Sequence, residues 1–315
     1  MFSSVVLPNG TLNDQKLYKR EGIYKGMNGR EVERFFLTPN ESYIFKPLTN
    51  DVQMGKEAWI QDHILVNFPD FYPKILASSN SLVPEKNWLI FEDLGNLNHR
   101  FTPDLALAVT KWMIWWHQYP IKNLLHQPLH GLKPSIHEII SQIILNRTKT
   151  MAYTKILGLD ASFMQSIYDL LETHSFHGAL VFSHGDLHLG NYAFVGEHVM
   201  ILDWENAHLN LPYWDLYHVI DLAHPLFEKQ MSLELRNNIL EYYFKQLNPH
   251  ASLAELYSFK KNYYLFSVAF SLWMLLLIQK DLENMDGKWT KEQLEREMSE
   301  TMSALLQCGG ELLKE

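Results

Sequence analysis

Hydrophobic and polar positions change their rhythm at Phe91. Before it, the pattern alternates in short runs broken by turn residues. Lys16–Lys25 and Glu31–Leu37 read as strands joined by Gly26-Met27-Asn28-Gly29-Arg30, whose two glycines allow positive φ and close backbone approach. Thr38-Pro39-Asn40-Glu41 reads as a second turn, and Ser42–Lys46 as a short strand ending at Pro47. Gly55–Val66 reads as a helix with Ala58, Ile60, Ile64 and Leu65 on its apolar side, and Trp88–Phe91 as another strand. Glu92-Asp93-Leu94-Gly95-Asn96 leaves that strand as a polar connector.

Beyond the connector the period becomes helical. Pro103–His117 carries Trp112, Trp115 and Trp116 on one face, a core-packing pattern. Ile136, Ile139, Ile140, Ile143 and Ile144 form a second stripe, with Pro134 near its start. Phe163, Ile167, Leu170 and Leu171 form a third, behind Asp160 as N-cap. Further helices are expected at Ser232–Phe244, Leu253–Lys280 and Thr290–Gln307, the last opened by the capping pair Thr290 and Gln293 and stopped by Gly309-Gly310. Between the helices, Tyr192–Val195 and His198–Leu202 flank Gly196-Glu197 as a hairpin. The chain thus divides into a β-rich lobe, residues 1–91, and a mainly helical lobe, residues 92–315, with no internal repeat.

Composition narrows the class without naming it. With 315 residues, 47 % of them hydrophobic, the chain can bury more than one core. A net charge of −9 and the absence of any Lys/Arg block argue against a nucleic-acid partner. The one cysteine, Cys308, can form neither an internal disulfide nor a thiolate metal site. The apolar run Tyr263–Ile278 falls short of the roughly 20 residues that span a bilayer and is flanked by Lys260, Lys261 and Lys280, so a buried helix is expected. The start MFSSVVLPNG lacks the basic residues and apolar run of a signal peptide. A cytoplasmic protein, monomer or homodimer, is the expectation.

The chemistry concentrates around the hairpin. It is preceded by Ser183-His184-Gly185-Asp186-Leu187-His188-Leu189-Gly190-Asn191 and followed by Asp203-Trp204-Glu205. A short hairpin brings its ends together, so the amide oxygen of Asn191 and the carboxylate of Asp203 can share one hard cation such as Mg²⁺. Asp186, one tight loop before Asn191, can orient a substrate hydroxyl and take its proton. The alternation His184, Asp186, His188 also fits a fragment of a metallohydrolase, with His208, His218 and His224 as further ligands. That alternative leaves Asn191 and Asp203 unexplained.

The spacing of His184, Asp186 and Asn191 matches the H-R-D-x-x-x-x-N of protein kinases, with Gly185 in place of Arg and Asp203-Trp204-Glu205 in place of D-F-G. With those departures the chain resembles the aminoglycoside phosphotransferase and choline kinase group, whose H-G-D-x-x-x-x-N and I-D-W/F-E stand here as SHGDLHLGN and MILDWEN. The resemblance implies an α+β, bilobal protein-kinase-like fold and a small-molecule phosphotransferase using Mg²⁺ with ATP, or with GTP as the alternative, the nucleotide lying between the lobes. It assigns Lys46 to the nucleotide phosphates, Glu57 as its ion-pair partner, Gly26 and Gly29 to a loop over the phosphates, and Glu92 and Leu94 to the adenine edge, with Phe91 behind it. Asn191 and Asp203 become the metal ligands, Asp186 the base, and His184 and Asp215 structural supports. His188, where many protein kinases carry a lysine, either stabilises charge near the transferred group or caps the loop.

The acceptor is expected to be small, because Leu211-Pro212-Tyr213-Trp214-Asp215 follows Asp203 almost directly and leaves little room for a peptide platform. Glu205, Asp221 and the acidic stretch Asp281–Asp286 suit an amine-bearing acceptor, and the tryptophans near His117 suit a macrolide or sugar. A catalytically inactive relative serving as a binding or structural protein is the other class to test.

Overall fold

The computed structural model describes residues 2–26, 28–79, 81–125, 127, 129, 131, 133–284 and 288–314, so Met27 of the first turn and Asp286 of the acidic stretch lie outside the described residues. Contacts gather the chain into two compact units: Met1–Asn98 with Ala193–Asn206, and His99–Tyr192 with Ala207–Glu315. Residues 193–206 therefore group with the β-rich part rather than with the helical lobe where the sequence division put them. The Ile201 amide donates to the Phe71 carbonyl (2.6 Å), and Trp204 packs against Phe68 and Phe71.

The first unit is built on a five-stranded antiparallel sheet. Its strands are β1 (Lys19–Lys25), β2 (Glu31–Thr38), β3 (Glu41–Pro47), β4 (Ile75–Ser78) and β5 (Trp88–Glu92), in the order β1-β2-β3-β5-β4. β1 starts at Lys19 rather than Lys16 because Asn13 caps a 3₁₀ turn at Asp14–Lys16. β4, a short edge strand with Leu76 exposed, gave no clear alternation in the sequence. Val5, Leu12, Phe35, Phe45 and Ile90 form the core, so the N-terminal arm covers one face of the sheet. Each such side chain contributes roughly 1.5–3 kcal/mol by leaving water. Because neighbours along a strand point to opposite faces, burying Phe45 in this core sends Lys46 the other way. Helix α1 (Lys56–His63) ends earlier than expected and passes into a 3₁₀ turn at Leu65–Asn67; Ile60, Ile64 and Leu65 are buried, and so is Glu57.

The second unit holds α2 (Pro103–His117), α3 (Ile136–Leu145), α4 (Arg147–Ile156), α5 (Ala161–Thr173), α6 (Tyr213–Ile220), α7 (Leu233–Leu247), α8 (Leu253–Asn284) and α9 (Lys291–Leu312). Two three-residue strands, β6 (Val181–Ser183) and β9 (His208–Asn210), pair antiparallel. The hairpin strands β7 (Tyr192–Val195) and β8 (His198–Ile201) lie between them in the chain and pair with each other. The expected caps are present, Asp160 on α5 and a capping box of Thr290 and Gln293 on α9, and Thr102 caps α2 as well. α8 spans 32 residues and, by length and composition alone, is apolar enough to cross a membrane, which its shorter central run did not suggest. Here it packs against α9, α3, α7 and α6, with every residue from Tyr263 to Leu272 buried.

The pair Gly309-Gly310 does not stop α9, which runs on to Leu312. A Cβ on Gly309 would sit 2.4 Å from Cζ of Phe163, so this glycine serves close helix packing rather than termination.

Candidate active site

In the first unit, Lys46 gathers three carboxylates. Its Nζ lies 2.7 Å from Glu57, 2.8 Å from Asp203 and 3.0 Å from Glu205. Carboxylate oxygens of these three acids all fall within 4.8 Å of one another. Burial opposes the charge on Lys46, but the pull of Asp203, Glu57 and Glu205 outweighs it and holds the ammonium's pKa well above its ordinary value. Burial pushes Glu57 the other way, up to about 7 despite Lys46. Asp203 is the sole non-glycine with positive φ among the described residues, at 59°. Aspartate tolerates that left-handed conformation better than most residues, and such strain collects at functional positions.

The turn between β1 and β2 closes through Gly26 N to Arg30 O (2.8 Å) and Gly29 N to Gly26 O (3.0 Å). Gly29 takes φ +79°, while Gly26 must be a glycine because a Cβ there would meet Cβ of Thr49 at 2.4 Å. Asn28 Nδ2 and Arg30 Nη1 both donate to the Leu48 carbonyl and tie the turn to the end of β3. Phe91 is buried between Ile44 and Ile75 in the sheet register. The Glu92 N–H already donates to the Lys74 carbonyl (3.1 Å) and its side chain accepts from Lys74 N, so that N–H is engaged within the sheet unit. Leu94 lies beside a clamp that the sequence did not signal. Asp93 accepts from Arg34 through both Nε and Nη2, from Ser42 Oγ, and from Gly95 N.

In the second unit, the Ser183–Asn191 segment is organised around Asp215 on α6. The buried Asp215 carboxylate accepts from Ser183 Oγ (2.7 Å), His184 N (2.8 Å), Gly185 N (3.2 Å), Trp116 Nε1 (3.2 Å) and His117 Nε2 (3.1 Å). Trp214 Nε1 adds a bond to the Gly185 carbonyl, and His184, fully buried, accepts from Asp186 N at Nδ1. Burial alone would raise the pKa of Asp215; hydrogen bonding and charge from His117, with His184 and Ser183, keep it well below the usual carboxylate range. Trp116 and His117 are therefore buried supports of the loop.

Asp186 projects from this scaffold, with 23 % of its side chain exposed. Its Oδ1 accepts from Lys133 Nζ at 2.7 Å, and Lys133 also lies 3.0 Å from His218 Nε2. Burial opposes the charge of Asp186, but Lys133, His188 and His218 together hold it ionised, far below the ordinary range. Asn191 Nδ2 donates to the Asp186 carbonyl (2.8 Å), which leaves its amide oxygen as the atom suited to a cation. His188 Nδ1 accepts from Gly190 N and caps the following 3₁₀ turn, while Nε2 stands 3.9 Å from Asp186 Oδ2. Its ring stacks on His224 at 4.6 Å.

Among the described residues, the histidines of the zinc-hydrolase reading do not gather into a ligand set. His184 is engaged inside the loop, and an ammonium rather than a metal bridges Asp186 and His218. Among the described residues, the cluster with metal-ligand spacing is Glu57, Asp203 and Glu205. Two of the acids suggested as attractors for an amine acceptor are also engaged. Glu205 is on Lys46, and Asp221 is buried against Arg236, Tyr263 and Ser267. Cys308 is buried 3.7 Å from Asp221, and burial pushes its thiol pKa up, away from nucleophilic use. Lys133 was missed entirely, for a lone lysine in Gly131-Leu132-Lys133-Pro134 carries no signal of its own.

The sheet unit and helical unit define a protein-kinase-like fold. Residues 146–256 match the model of the phosphotransferase enzyme family, and the resemblance to the aminoglycoside phosphotransferase and choline kinase group is borne out. Choline kinase from Cryptosporidium parvum Iowa II is 15 % identical, with a TM-score of 0.57 over 94 % of this chain and 90 % of that one. A mutant aminoglycoside 2'-phosphotransferase-IIIa in its GDP complex is 14 % identical, with a TM-score of 0.58 over 92 % of this chain and 93 % of that one. ADP-bound aminoglycoside phosphotransferase APH(2'')-Ib is 13 % identical, with a TM-score of 0.54 over 95 % and 96 %. At these identities the likeness speaks for the fold. No curated protein sequence matches the chain.

Proposed function

We propose that this chain is a small-molecule O-phosphotransferase that moves the γ-phosphoryl group of a nucleoside triphosphate, ATP or GTP, to an acceptor hydroxyl. The observation that carries the reading is Lys46. Its ammonium meets Glu57, 11 residues on, the ion-pair partner that the resemblance implies, and also Asp203, 157 residues on, the carboxylate proposed for the metal. The hard oxygens of Asp203 and Asn191 suit Mg²⁺, which when bound neutralises charge on the phosphates.

In this reading Lys46 binds the α- and β-phosphates and Glu57 aims it. Asp186 orients the acceptor hydroxyl. As the new O–P bond forms and the bond to the departing nucleoside diphosphate breaks, Asp186 takes the hydroxyl proton. An Asp186 held strongly ionised is a weak base, so its main contribution is alignment, with the proton arriving late. Asp215 and His184 keep the loop in shape and touch no substrate.

The test is a nucleotide-consumption screen with ATP and GTP against amine, sugar and antibiotic acceptors at saturating Mg²⁺. The reading predicts acceptor-stimulated release of nucleoside diphosphate that EDTA abolishes. Nucleotide binding with no Mg²⁺-dependent turnover across the panel favours the inactive binding protein instead.

A further inference from the structure

The Ser183–Asn191 segment contains no lysine or arginine. The cation at Asp186 comes instead from Lys133, two residues ahead of the Ser135 cap of α3. Both ends of this arrangement are anchored. The start of α3 is closed by a capping box between Ser135 and Glu138, and His137 Nε2 meets the Phe176 carbonyl at 3.1 Å. His218 is fully buried, stacks on Trp214, and places Nδ1 2.7 Å from the Trp214 carbonyl. A carbonyl can only accept, so Nδ1 carries the proton and Nε2 of the neutral ring is the acceptor that faces Lys133. The ammonium therefore has two fixed acceptors, His218 Nε2 and Asp186 Oδ1.

This makes the two oxygens of Asp186 inequivalent. Oδ1 is committed to Lys133 at 2.7 Å, with His218 Nε2 at 3.9 Å. Oδ2 faces His188 Nε2 at 3.9 Å, too far for a hydrogen bond. The His184 ring and the Asn191 amide meet the Asp186 backbone.

We propose that Lys133, braced by His218, is a positioning residue for phosphoryl transfer: it holds Oδ1 of Asp186 and so presents Oδ2 to the acceptor hydroxyl. The inference rests on the phosphotransferase reading and adds a residue that lies outside the H-G-D-x-x-x-x-N motif. The acceptor proton then passes to Oδ2, while Lys133 keeps its own protons and contacts neither the nucleotide nor the acceptor.

The experiment measures Mg²⁺-ATP consumption with water as acceptor for wild type, K133M, K133R, H218L, the K133M/H218L double variant and D186N, each checked for wild-type-like thermal unfolding. Misplacing a reacting group by about 1 Å costs on the order of 10²-fold, so K133M should lose at least about tenfold in kcat with KM for ATP within about twofold. K133R should recover most of that loss. H218L should also be slow, and the double variant no slower than K133M, because the two residues act as one device. Wild-type kcat in K133M, or no recovery in K133R, overturns the proposal. A slow D186N beside a fast K133M sinks the role of Lys133 alone. A wild type without Mg²⁺-dependent turnover of ATP or GTP across the acceptor panel, or a D186N as fast as wild type, sinks the phosphotransferase reading itself.

Discussion

Lys46 in the first unit faces three carboxylates, whereas Asp215 in the second faces five hydrogen-bond donors. Lys46, Glu57 and Asp215 are buried while Asp203 and Glu205 are part-exposed, and the charge balance of the two clusters is opposite. Around Lys46, Glu57, Asp203 and Glu205 leave negative charge in excess, and burial, with Asp203 and Glu205 adding to it, raises the pKa of Glu57 against the pull of Lys46. Around Asp215 a single carboxylate is met by donors from α2 and from the Ser183–Gly185 stretch. A satisfied cluster fixes a shape, and a charge-unbalanced one attracts a cation. The contrast separates residues that hold the proposed site from residues proposed to bind in it.

The contrast can be broken most directly by removing Asp215. Asp215→Ala leaves buried donors without a partner and should destabilise the chain by about 3–5 kcal/mol, read by urea unfolding. Glu205→Gln relieves excess charge and should leave ligand-free stability unchanged or slightly higher; an equal loss in both variants erases the distinction. The glycine pair in α9 sharpens the same theme of filled against open space. Gly309→Ala should cost about 2 kcal/mol against Phe163, while Gly310→Ala, which meets nothing within 4 Å, should be neutral or stabilising.

A cation provides the third test. Mg²⁺ at ten times its dissociation constant should stabilise wild type by about 1.4 kcal/mol, with the rise in melting temperature lost in Asp203→Ala and kept in Asp215→Asn. The smallest effect concerns Glu297, the point where the second unit is not balanced. Burial, with Asp281 and Glu300 adding to it and Arg296 opposing, pushes its pKa from 4.5 up to about 8. The folded chain thus keeps a proton that the unfolded chain releases. The stability this residue contributes is complete below its unfolded value and is lost as pH rises toward about 8. Glu297→Gln should remove that slope, so its stability relative to wild type rises between pH 5 and pH 9.

What the sequence made legible follows from how local each signal is. α2 was readable to the residue because Pro103 and the apolar stripe behind it are contiguous. Lys46, Glu57, Asp186, Asn191 and Asp203 were found because their motif spacings are short or shared with a known group. The three-residue strands β6 and β9 are too brief for a period to register, and α6 follows Pro212 without a side-chain cap. Gly309 looked like a helix stop because its partner, Phe163, is distant in sequence. Lys133, the Arg34–Asp93 clamp and the Asp221–Arg236 pair were hidden for the same reason: each depends on a tertiary contact between residues whose local patterns are ordinary.

The central claim is tested most directly by Asp186. Mg²⁺-dependent nucleotide consumption should be measured for wild type and Asp186→Ala alongside nucleotide affinity by titration calorimetry. The account predicts a fall of at least about 10²-fold in turnover with affinity nearly unchanged. Turnover equal to wild type, or zinc-supported hydrolysis that needs no nucleotide, would contradict it.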